Sequence, residues 1–328
     1  MTNPAYSGIK PFKFRDRDRR FPTGNNRQTM DNFIHSGEWL ALASAVVWAV
    51  AVILFRISGF RLHPFGLNLG KNLFALALIV LTTILTGASF WPPAGELKTT
   101  LLLLLSGFLG IAISDTLFLW TLKLIGASLT AIVDCVYAPF VIGMSYFFLG
   151  ERLTWVQLLG VVMIVSAVIT ISRSDSDNGR GPLTRKNLVL GIILGVSAMA
   201  FVAVGIVIIK PVLKDIPVVW ATGVRLLGGT IPLLFLPLFP KRRPDFRPLL
   251  QLSTWKVLAP ASFLGTYLSL MFWIGGMKYT LASVASALNQ LSTIFIFILA
   301  TVFLKEKATP WRILAVALAF VGAFLATY

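Results

Sequence analysis

Charged residues are scarce in this sequence. Only 13% of its 328 residues are Asp, Glu, Lys or Arg, 56% are hydrophobic, and the mean hydropathy is +0.82. A soluble domain carries about 25% charged residues, so the composition excludes an ordinary soluble globular protein. The net charge is +16, and most basic residues lie in loops between apolar runs. We therefore interpret the basic excess as contact with lipid headgroups, and we expect no nucleic-acid partner.

Metal-ligating side chains are nearly absent as well. The single cysteine, Cys135, excludes an intramolecular disulfide and a cysteine-based metal cluster. The two histidines, His35 and His63, are not spaced for metal binding. The segment from Gly66 to Lys71 only superficially resembles a phosphate-binding loop, because its glycine spacing is wrong and no strand precedes it. We expect no metal site and no cofactor.

Long apolar runs dominate the rest of the chain. Each is roughly 18 to 24 residues long, enough to cross a hydrocarbon core of about 30 Å. The runs lack the polar–apolar alternation of barrel strands, and in lipid a helix is the remaining way to satisfy the backbone. We predict an all-α polytopic membrane protein with about ten transmembrane helices, at residues 39–57, 65–87, 99–121, 127–148, 153–172, 188–209, 216–239, 255–277, 281–304 and 310–327.

The apolar region repeats itself. Residues 107–172 and 262–327 align without gaps at an offset of 155, and an offset of 154 extends the alignment backwards. Five helices per half is an odd number, so the second half must enter the membrane from the opposite side. Inverted repeats of this kind are typical of transporters. The matched positions include Phe108-Leu109-Gly110 with Phe263-Leu264-Gly265, Lys123 with Lys278, Ala127-Ser128 with Ala282-Ser283, Glu151 with Glu306, Arg56 with Lys210, and Lys71 with Arg225.

The same pattern divides the chain into four parts. We predict a disordered, basic N-terminal tail at 1–38, a first five-helix repeat at 39–172, a linker at 173–187, and a second repeat at 188–328. The tail lacks the apolar segment of a signal peptide. Met30 is an alternative to Met1 as the translation start.

The doubled unit resembles the EamA-type drug/metabolite transporter superfamily. The resemblance rests on the repeat, on Pro139 in the fourth helix, and on the corner Leu149-Gly150-Glu151-Arg152-Leu153, which recurs as Leu304-Lys305-Glu306-Lys307. It covers about residues 39–328. Ile294 departs from the pattern because it replaces Pro139 in the second half, so the two fourth helices need not kink alike. The resemblance implies ten helices, export of small metabolites, and a site formed by helices 1–4 and 6–9, with helices 5 and 10 peripheral.

Membrane orientation has two conflicting indications. The loops on the side of the N-terminal tail carry five Lys and Arg residues, against fifteen in the loops opposite. The positive-inside rule then places both termini outside. The basic tail and the family resemblance, which implies cytoplasmic termini, favour the reverse.

Two carboxylates fall inside predicted spans. Asp115 and Asp134 lie on either side of the turn near Leu124, both roughly 14 Å deep at about 1.5 Å rise per residue. An ionisable residue inside a span is costly unless paired or wet, and is a functional candidate by default. Two carboxylates at one depth can share a proton. This favours proton coupling, or binding of an amine-bearing substrate.

The alignment of the halves adds further candidates to these carboxylates. Asp134 matches Asn289, which Gln290 follows, so both fourth helices carry polar groups at one depth. Lys71 and Arg225 lie about 11 Å deep and are candidate counter-charges. The structural alternative is that an Asp simply pairs with Lys71 or Arg225 and locks the bundle.

Other residues are candidates for walls, corners and kinks. Trp48, Tyr137, Tyr267 and Trp273, together with Phe118 and Trp120, are candidates to line a cavity, although membrane aromatics also fill cores and interfacial belts. Glu151 and Glu306 favour a structural corner, each preceding an N-cap threonine at Thr154 or Thr309, with gating as the alternative. Pro139 predicts a kink one turn beyond Asp134, for access or for packing.

These features predict a secondary transporter and not an enzyme. We expect it to move, with export as the expected direction, small organic metabolites such as amino acids or drug-like compounds by alternating access, with protons as a possible partner. Its surroundings would be membrane lipid, in the bacterial inner membrane, as a monomer or homodimer. The alternatives are a membrane-embedded enzyme and a non-transporting receptor or assembly subunit.

Overall fold

Ten helices form the bundle over the parts of the chain that the structure describes. The structure is a computed structural model covering residues 25–89, 97–149, 154–172, 183–235, 245–280 and 282–326, and these contain no strand. The helices are α1 (Asn25–Ser58), α2 (Pro64–Thr86), α3 (Leu97–Ile125), α4 (Ala127–Asp134 and Tyr137–Leu149), α5 (Trp155–Ser172), α6 (Arg185–Ile209), α7 (Val218–Phe235), α8 (Leu252–Tyr279), α9 (Ala282–Gln290 and Ser292–Phe303) and α10 (Pro310–Ala326).

The prediction of an all-α membrane protein is confirmed. Within the described ranges, eight helices have the length and hydropathy to cross a membrane, and α5 and α10 are shorter apolar helices. Their outer faces carry exposed apolar side chains, as lipid contact requires. Examples are Leu81, Leu85, Leu159, Ile193 and Phe324.

Helix α1 begins earlier than the sequence predicts. It starts at Asn25, so residues 25–38, expected to belong to a disordered tail, are helical. No proline lies between Asn25 and Ser58, so nothing stops the apolar helix from extending through a polar segment. The remaining tail residues 1–24, most of the linker (173–182) and the corner residue Glu151 lie outside the described residues.

Helix ends follow the capping signals in the sequence. Thr154 and Gln157 form a reciprocal capping box at the start of α5, with hydrogen bonds of 2.9 and 3.2 Å. Thr309 accepts a hydrogen bond from the backbone N–H of Arg312 at 3.4 Å, and Pro310 is the first residue of α10.

Helices from opposite halves pack in matching pairs. Helix α1 packs against α8 and α9, as α6 packs against α3 and α4, while α2 packs on α7 and α5 on α10. Small residues permit the closest approaches. A Cβ at Gly160 of α5 would overlap the backbone of Ala326 in α10, and one at Gly322 would overlap Gly160. Each half therefore interlocks with the other along its whole length.

Basic residues at helix ends bind backbone, although we expected headgroup contacts there. At the end of α1, Arg56 Nη1 donates to the carbonyls of Leu122 and Lys123 at 2.6 and 2.9 Å. The Lys123 ammonium in turn donates to the carbonyl of Leu62 at 3.3 Å. A cation thus satisfies the last carbonyls of α3, where the helix dipole is negative.

The second half repeats this arrangement with lysine. Lys210, which matches Arg56, donates to the carbonyl of Met277 and, at 2.7 Å, to that of Thr280. Lys278, which matches Lys123, donates to the carbonyl of Ile216 at 2.7 Å. The two repeats therefore share these hydrogen bonds from basic side chains to backbone carbonyls, as well as the order of their helices.

Candidate functional site

A cavity lies between the two halves of the bundle. Its volume for the centres of water molecules is about 130 Å³, where a single water needs about 10–15 Å³. This leaves room for a small organic molecule. Helices α1–α4 and α6–α9 contribute to its wall, and α5 and α10 do not. The predicted site residues that line it are Trp48, Lys71, Asp115, Phe118, Asp134, Tyr137, Arg225, Trp273, Asn289 and Gln290.

Two of the predicted aromatic residues lie elsewhere. The Tyr267 hydroxyl hydrogen-bonds with that of Thr82 at 2.6 Å, and its ring stacks on Phe263. Trp120 packs edge-on against His63 outside the cavity. Tyr267 is therefore not a wall residue, because its position on α8 turns it towards α2.

Both third helices widen where they reach the cavity. In α3, residues Phe108–Ser114 form π-helix, and in α8, residues Ser262–Ser269 do the same. π-helical turns occur frequently at functional sites. Residue spacing alone did not predict these π-helical turns, although matching glycines and serines in the two repeats mark both of them. Gly110 matches Gly265 and Ser114 matches Ser269, and all four line the cavity.

Both fourth helices are interrupted at the cavity. Helix α4 breaks at residues 135–136, directly after Asp134, and α9 breaks at Leu291, directly after Gln290. Pro139 has no N–H, and the carbonyl of Cys135 accepts from Ala138 instead. The second interruption occurs without a proline, since Ile294 stands at the matching position. The fourth helices therefore break alike despite this difference.

Lys71 and Asp115 form an ion pair within the wall. Lys71 Nζ lies 2.6 Å from Asp115 Oδ2, and also donates to Asn72 Oδ1 at 3.0 Å. Asn72 donates to Asn68, which itself donates to the carbonyl of Ile111 at 2.8 Å. This chain of polar contacts fixes α2 against α3. For Asp115 the structure therefore contains the ion pair that we named as the structural alternative. Whether Asp115 and Asp134 share a proton stays a prediction.

Asp134 has a different environment. It is the last residue before the break in α4, is partly buried, and faces the cavity. Among the described residues it has no hydrogen-bond donor and no basic group within ion-pair distance. An intramembrane carboxylate in that condition can bind a proton or a cationic group.

Arg225 is the second charged group without a direct partner. Its side chain is 1% exposed, and its Nε and Nη1 atoms have no hydrogen-bond acceptor in the described parts of the chain. The guanidinium carbon lies 5.3 Å from the centroid of the Trp273 ring. This is a cation–π distance.

Aromatic rings complete the wall. Trp48 lies 5.5 Å from Phe118, and Tyr137 lies 6.5 Å from Trp273, measured between ring centroids. The Ser44 and Ser269 hydroxyls, 3.1 Å apart, join α1 to α8 beside the cavity. The cavity thus combines apolar ring surface with one ion pair, Lys71 and Asp115, and two further ionisable groups, Asp134 and Arg225.

Glu306 lies outside the cavity, at a contact between the halves. Its two carboxylate oxygens accept hydrogen bonds from the backbone N–H groups of Ala127 and Ser128, at 2.8 and 2.9 Å. We expected the corner carboxylate beside the helix that follows it. Instead it caps α4 of the other half, because the sharp turn at Gly126 brings that helix start to the corner.

Comparison with known proteins agrees with this architecture. The model of the EamA-like transporter family matches residues 35–173 and 189–328, one match per half. An uncharacterized transporter of Bacillus subtilis (strain 168), YetK, is 24% identical over 296 residues, which cover 88% of this chain and 86% of YetK. A crystal structure described only as that of a protein superposes with a TM-score of 0.65 at 16% identity, covering 89% of this chain and 96% of that one, and shows the fold alone.

Proposed function

Because the chain belongs to the EamA-like transporter family, and is a membrane transporter, we propose that it exports small organic metabolites by alternating access around the cavity between its halves. We further propose that Asp134 is the residue through which transport is coupled to protons. The observation that supports this proposal most directly is a carboxylate that has no charged partner among the described residues, at a helix break, facing a cavity shared by both repeats.

The charges around the cavity explain why Asp134, and not Asp115, is assigned this role. Lys71 neutralises Asp115 at 2.6 Å, so that pair has little reason to change its protonation during transport. Asp134 can hold either a proton or a cationic group of the substrate. Competition between the two would exchange a proton entering for a substrate leaving. That exchange gives export as the direction.

The breaks in α4 and α9 support a moving site. Interrupted helices free backbone groups at a cavity, and in inverted-repeat transporters they commonly hold the substrate. Asn289 and Gln290 stand at the break in α9 as Asp134 does in α4. In this proposal they contact the substrate from the second half while Asp134 does so from the first.

The substrates best suited to this cavity are amino acids or drug-like compounds that present a polar group and an apolar body. Lipid surrounds the protein, and we propose the bacterial inner membrane as its location. We propose that the protein is a monomer or a homodimer.

Transport in proteoliposomes tests the proposal. Uptake of amino acids, amines and sugar nucleotides would be measured with and without an imposed pH gradient, comparing wild type with Asp134→Asn. Asp245→Asn, which makes the same change at an exposed loop carboxylate, is the control. We expect uptake of one class to depend on the gradient in the wild type and the control, and to lose that dependence in Asp134→Asn.

Two results would contradict the proposal. Gradient-dependent uptake that is unchanged in Asp134→Asn would remove Asp134 from coupling. Absence of uptake for every compound, in protein shown to be folded, would contradict transport of these substrates and favour the alternatives of an enzyme or a receptor. Product formation from a polyprenyl substrate would then favour an enzyme, and a pulldown dependent on residues 1–38 would favour a receptor or assembly subunit.

A further inference from the structure

Arg225 is a buried cation without a salt-bridge partner among the described residues. The side chain is 1% exposed, yet Nε and Nη1 have no acceptor among the described residues. Asp115 and Tyr137 act on it only at longer range, and Asp115 already pairs with Lys71. Breaking or omitting one partner of a buried ion pair is strongly unfavourable. A buried guanidinium in this state requires an explanation, and an acceptor beyond the described residues supplies one.

The repeat alignment shows that the missing partner is a difference between the halves. Lys71 of α2 matches Arg225 of α7, and Asp115, which pairs with Lys71, matches Leu270. Both Arg225 and Leu270 line the cavity. The second half therefore keeps the cation and replaces its carboxylate with an apolar side chain. The position that supplies the carboxylate for Lys71 in the first half therefore supplies none for Arg225 in the second.

An aromatic ring and a glycine flank the guanidinium. Arg225 lies over the ring of Trp273, which covers one face of the guanidinium. A Cβ at Gly110 would lie only 3.2 Å from Arg225 Nη2, so the glycine makes room beside that nitrogen. The aromatic rings of Trp48 and Phe118 line the same cavity.

We propose that Arg225 binds a carboxylate of the transported molecule, so that the substrates are organic carboxylates with an apolar body. This inference rests on the proposed transport function and assigns its substrate class. The planar guanidinium fork matches a carboxylate in two parallel hydrogen bonds. A single free guanidinium suits one negative charge. A doubly charged phosphate would need a second cation, and Lys71 is occupied by Asp115.

The assignment also fits the electrostatics of the full cavity. Lys71 and Asp115 cancel, which leaves Arg225 and Asp134 as the unpaired ionisable groups among the described residues of the wall. A substrate carboxylate at Arg225 and a cationic group of the same substrate at Asp134 neutralise both. Substrates with an acidic group at one end therefore bind with the acidic group towards α7.

Matched pairs of ligands test the proposal by binding alone. Purified full-length protein in detergent would be titrated with phenylacetate and phenylacetamide, and with indole-3-acetate and indole-3-acetamide, following the thermal unfolding midpoint. Each pair shares its apolar body and differs only in the charge of one group. We expect the carboxylate to bind about tenfold or more tightly than the amide in the wild type.

Two substitutions at one position identify the acceptor. Leu270→Asp gives Arg225 the partner that Asp115 gives Lys71, so it is expected to abolish the preference for carboxylates. Leu270→Asn, of nearly the same size but without charge, is the control and should keep the preference. Arg225→Gln, which removes the cation, should also lose it, and serves as the second variant if Leu270→Asp does not fold.

The outcomes separate this inference from the transport proposal. Equal affinity for carboxylate and amide in wild-type protein would overturn it, even if amines or neutral compounds are transported. A carboxylate preference that survives in Arg225→Gln would overturn it as well. A preference that depends on Arg225 in a protein that transports nothing would support the binding site and contradict the transport function.

Discussion

The carboxylate of Glu306 accepts a hydrogen bond from the backbone N–H of Ala127 at 2.8 Å, across the boundary between the two repeats. A second oxygen accepts from Ser128 at 2.9 Å. A negative charge at a helix N-terminus is favourable, and the side chain is only 2% exposed. A residue from the corner before α10 therefore holds the start of α4, the helix that carries Asp134.

We predict that Glu306→Gln lowers the unfolding free energy by about 1.5–3 kcal/mol, the range for hydrogen bonds to charged groups. Glutamine keeps one acceptor but loses the charge and the second acceptor. The measurement is the unfolding free energy in detergent micelles. Stability equal to that of the wild type would show that water or another donor replaces the contact.

Substitution of Gly126 is predicted to destabilise the protein for two separate reasons. It has φ +86° and ψ 177°, a conformation that is essentially restricted to glycine. A Cβ there would also lie 2.7 Å from Glu306 Oε1. Gly126→Ala should cost about 1–3 kcal/mol from the backbone alone. Gly143→Ala, where a Cβ meets nothing within 4 Å, is the matched control and should be neutral or slightly stabilising.

The ion pair of Lys71 and Asp115 should be replaceable as a pair but not singly. Lys71→Met leaves the Asp115 carboxylate without its cation. When both groups are buried, such a change typically lowers the unfolding free energy by about 3–5 kcal/mol. Asp115 is 26% exposed to the cavity, so the low end applies. The double variant Lys71→Met/Asp115→Leu recreates the apolar pattern of Leu270 and should recover most of the loss. A double-mutant cycle of thermal unfolding checks this, and a double variant as unstable as the single one would contradict it.

The sequence predicted most of the fold because the repeat leaves a direct trace. The ungapped match of 107–172 with 262–327 predicted two inverted halves, and the family match over both halves confirms the recognition. Intramembrane charges were equally visible, because Asp115, Asp134 and Arg225 stand out in apolar runs. All three line the cavity, although their roles stay predictions.

What the sequence left open depends on packing between helices. The sequence predicted Lys71 and Arg225 equally as partners for the carboxylates. The packing of α2 against α3 places Lys71 beside Asp115. Tyr267 was predicted to line the cavity, but its hydroxyl hydrogen-bonds with Thr82 of α2 instead. Such choices depend on rotations of a few tens of degrees about a helix axis, and residue spacing does not specify these rotations.

His63 predicts a pH-dependent stability at the start of α2. Its Nδ1 accepts a hydrogen bond from the backbone N–H of Phe65 at 3.4 Å, as the N-cap of the helix. Burial, and then the charge of Lys123, lower the pKa of His63 below its ordinary 6.5. The folded protein therefore favours the neutral ring, whose Nδ1 can accept.

The sign of the effect follows from that lowered pKa. The contribution of His63 to the unfolding free energy is fully present above about pH 6.5, the unfolded-state pKa. It is lost as the pH falls through the lower pKa of His63 in the folded state. His63→Asn keeps an N-cap acceptor without a titrating group. Thermal unfolding midpoints between pH 8 and pH 5 should fall more steeply for the wild type than for the variant. Parallel curves would show that His63 does not titrate differently in the folded state.

Arg56 and Lys210 make equivalent hydrogen bonds in the two halves, one through a guanidinium and the other through an ammonium. This equivalence predicts which substitution of Arg56 the protein tolerates. Each ends the first helix of its repeat and donates to the final carbonyls of the third, Arg56 to Leu122 and Lys210 to Met277. Because an ammonium suffices in the second half, Arg56→Lys should retain most of the stability. Arg56→Met leaves those carbonyls without the cation and should cost about 1.5–3 kcal/mol. Unfolding free energies of the two variants decide the matter. If Arg56→Lys lowers the unfolding free energy as much as Arg56→Met, the shape of the guanidinium matters more than its charge. Arg56 and Lys210 would then occupy matching positions without stabilising the two halves in the same way.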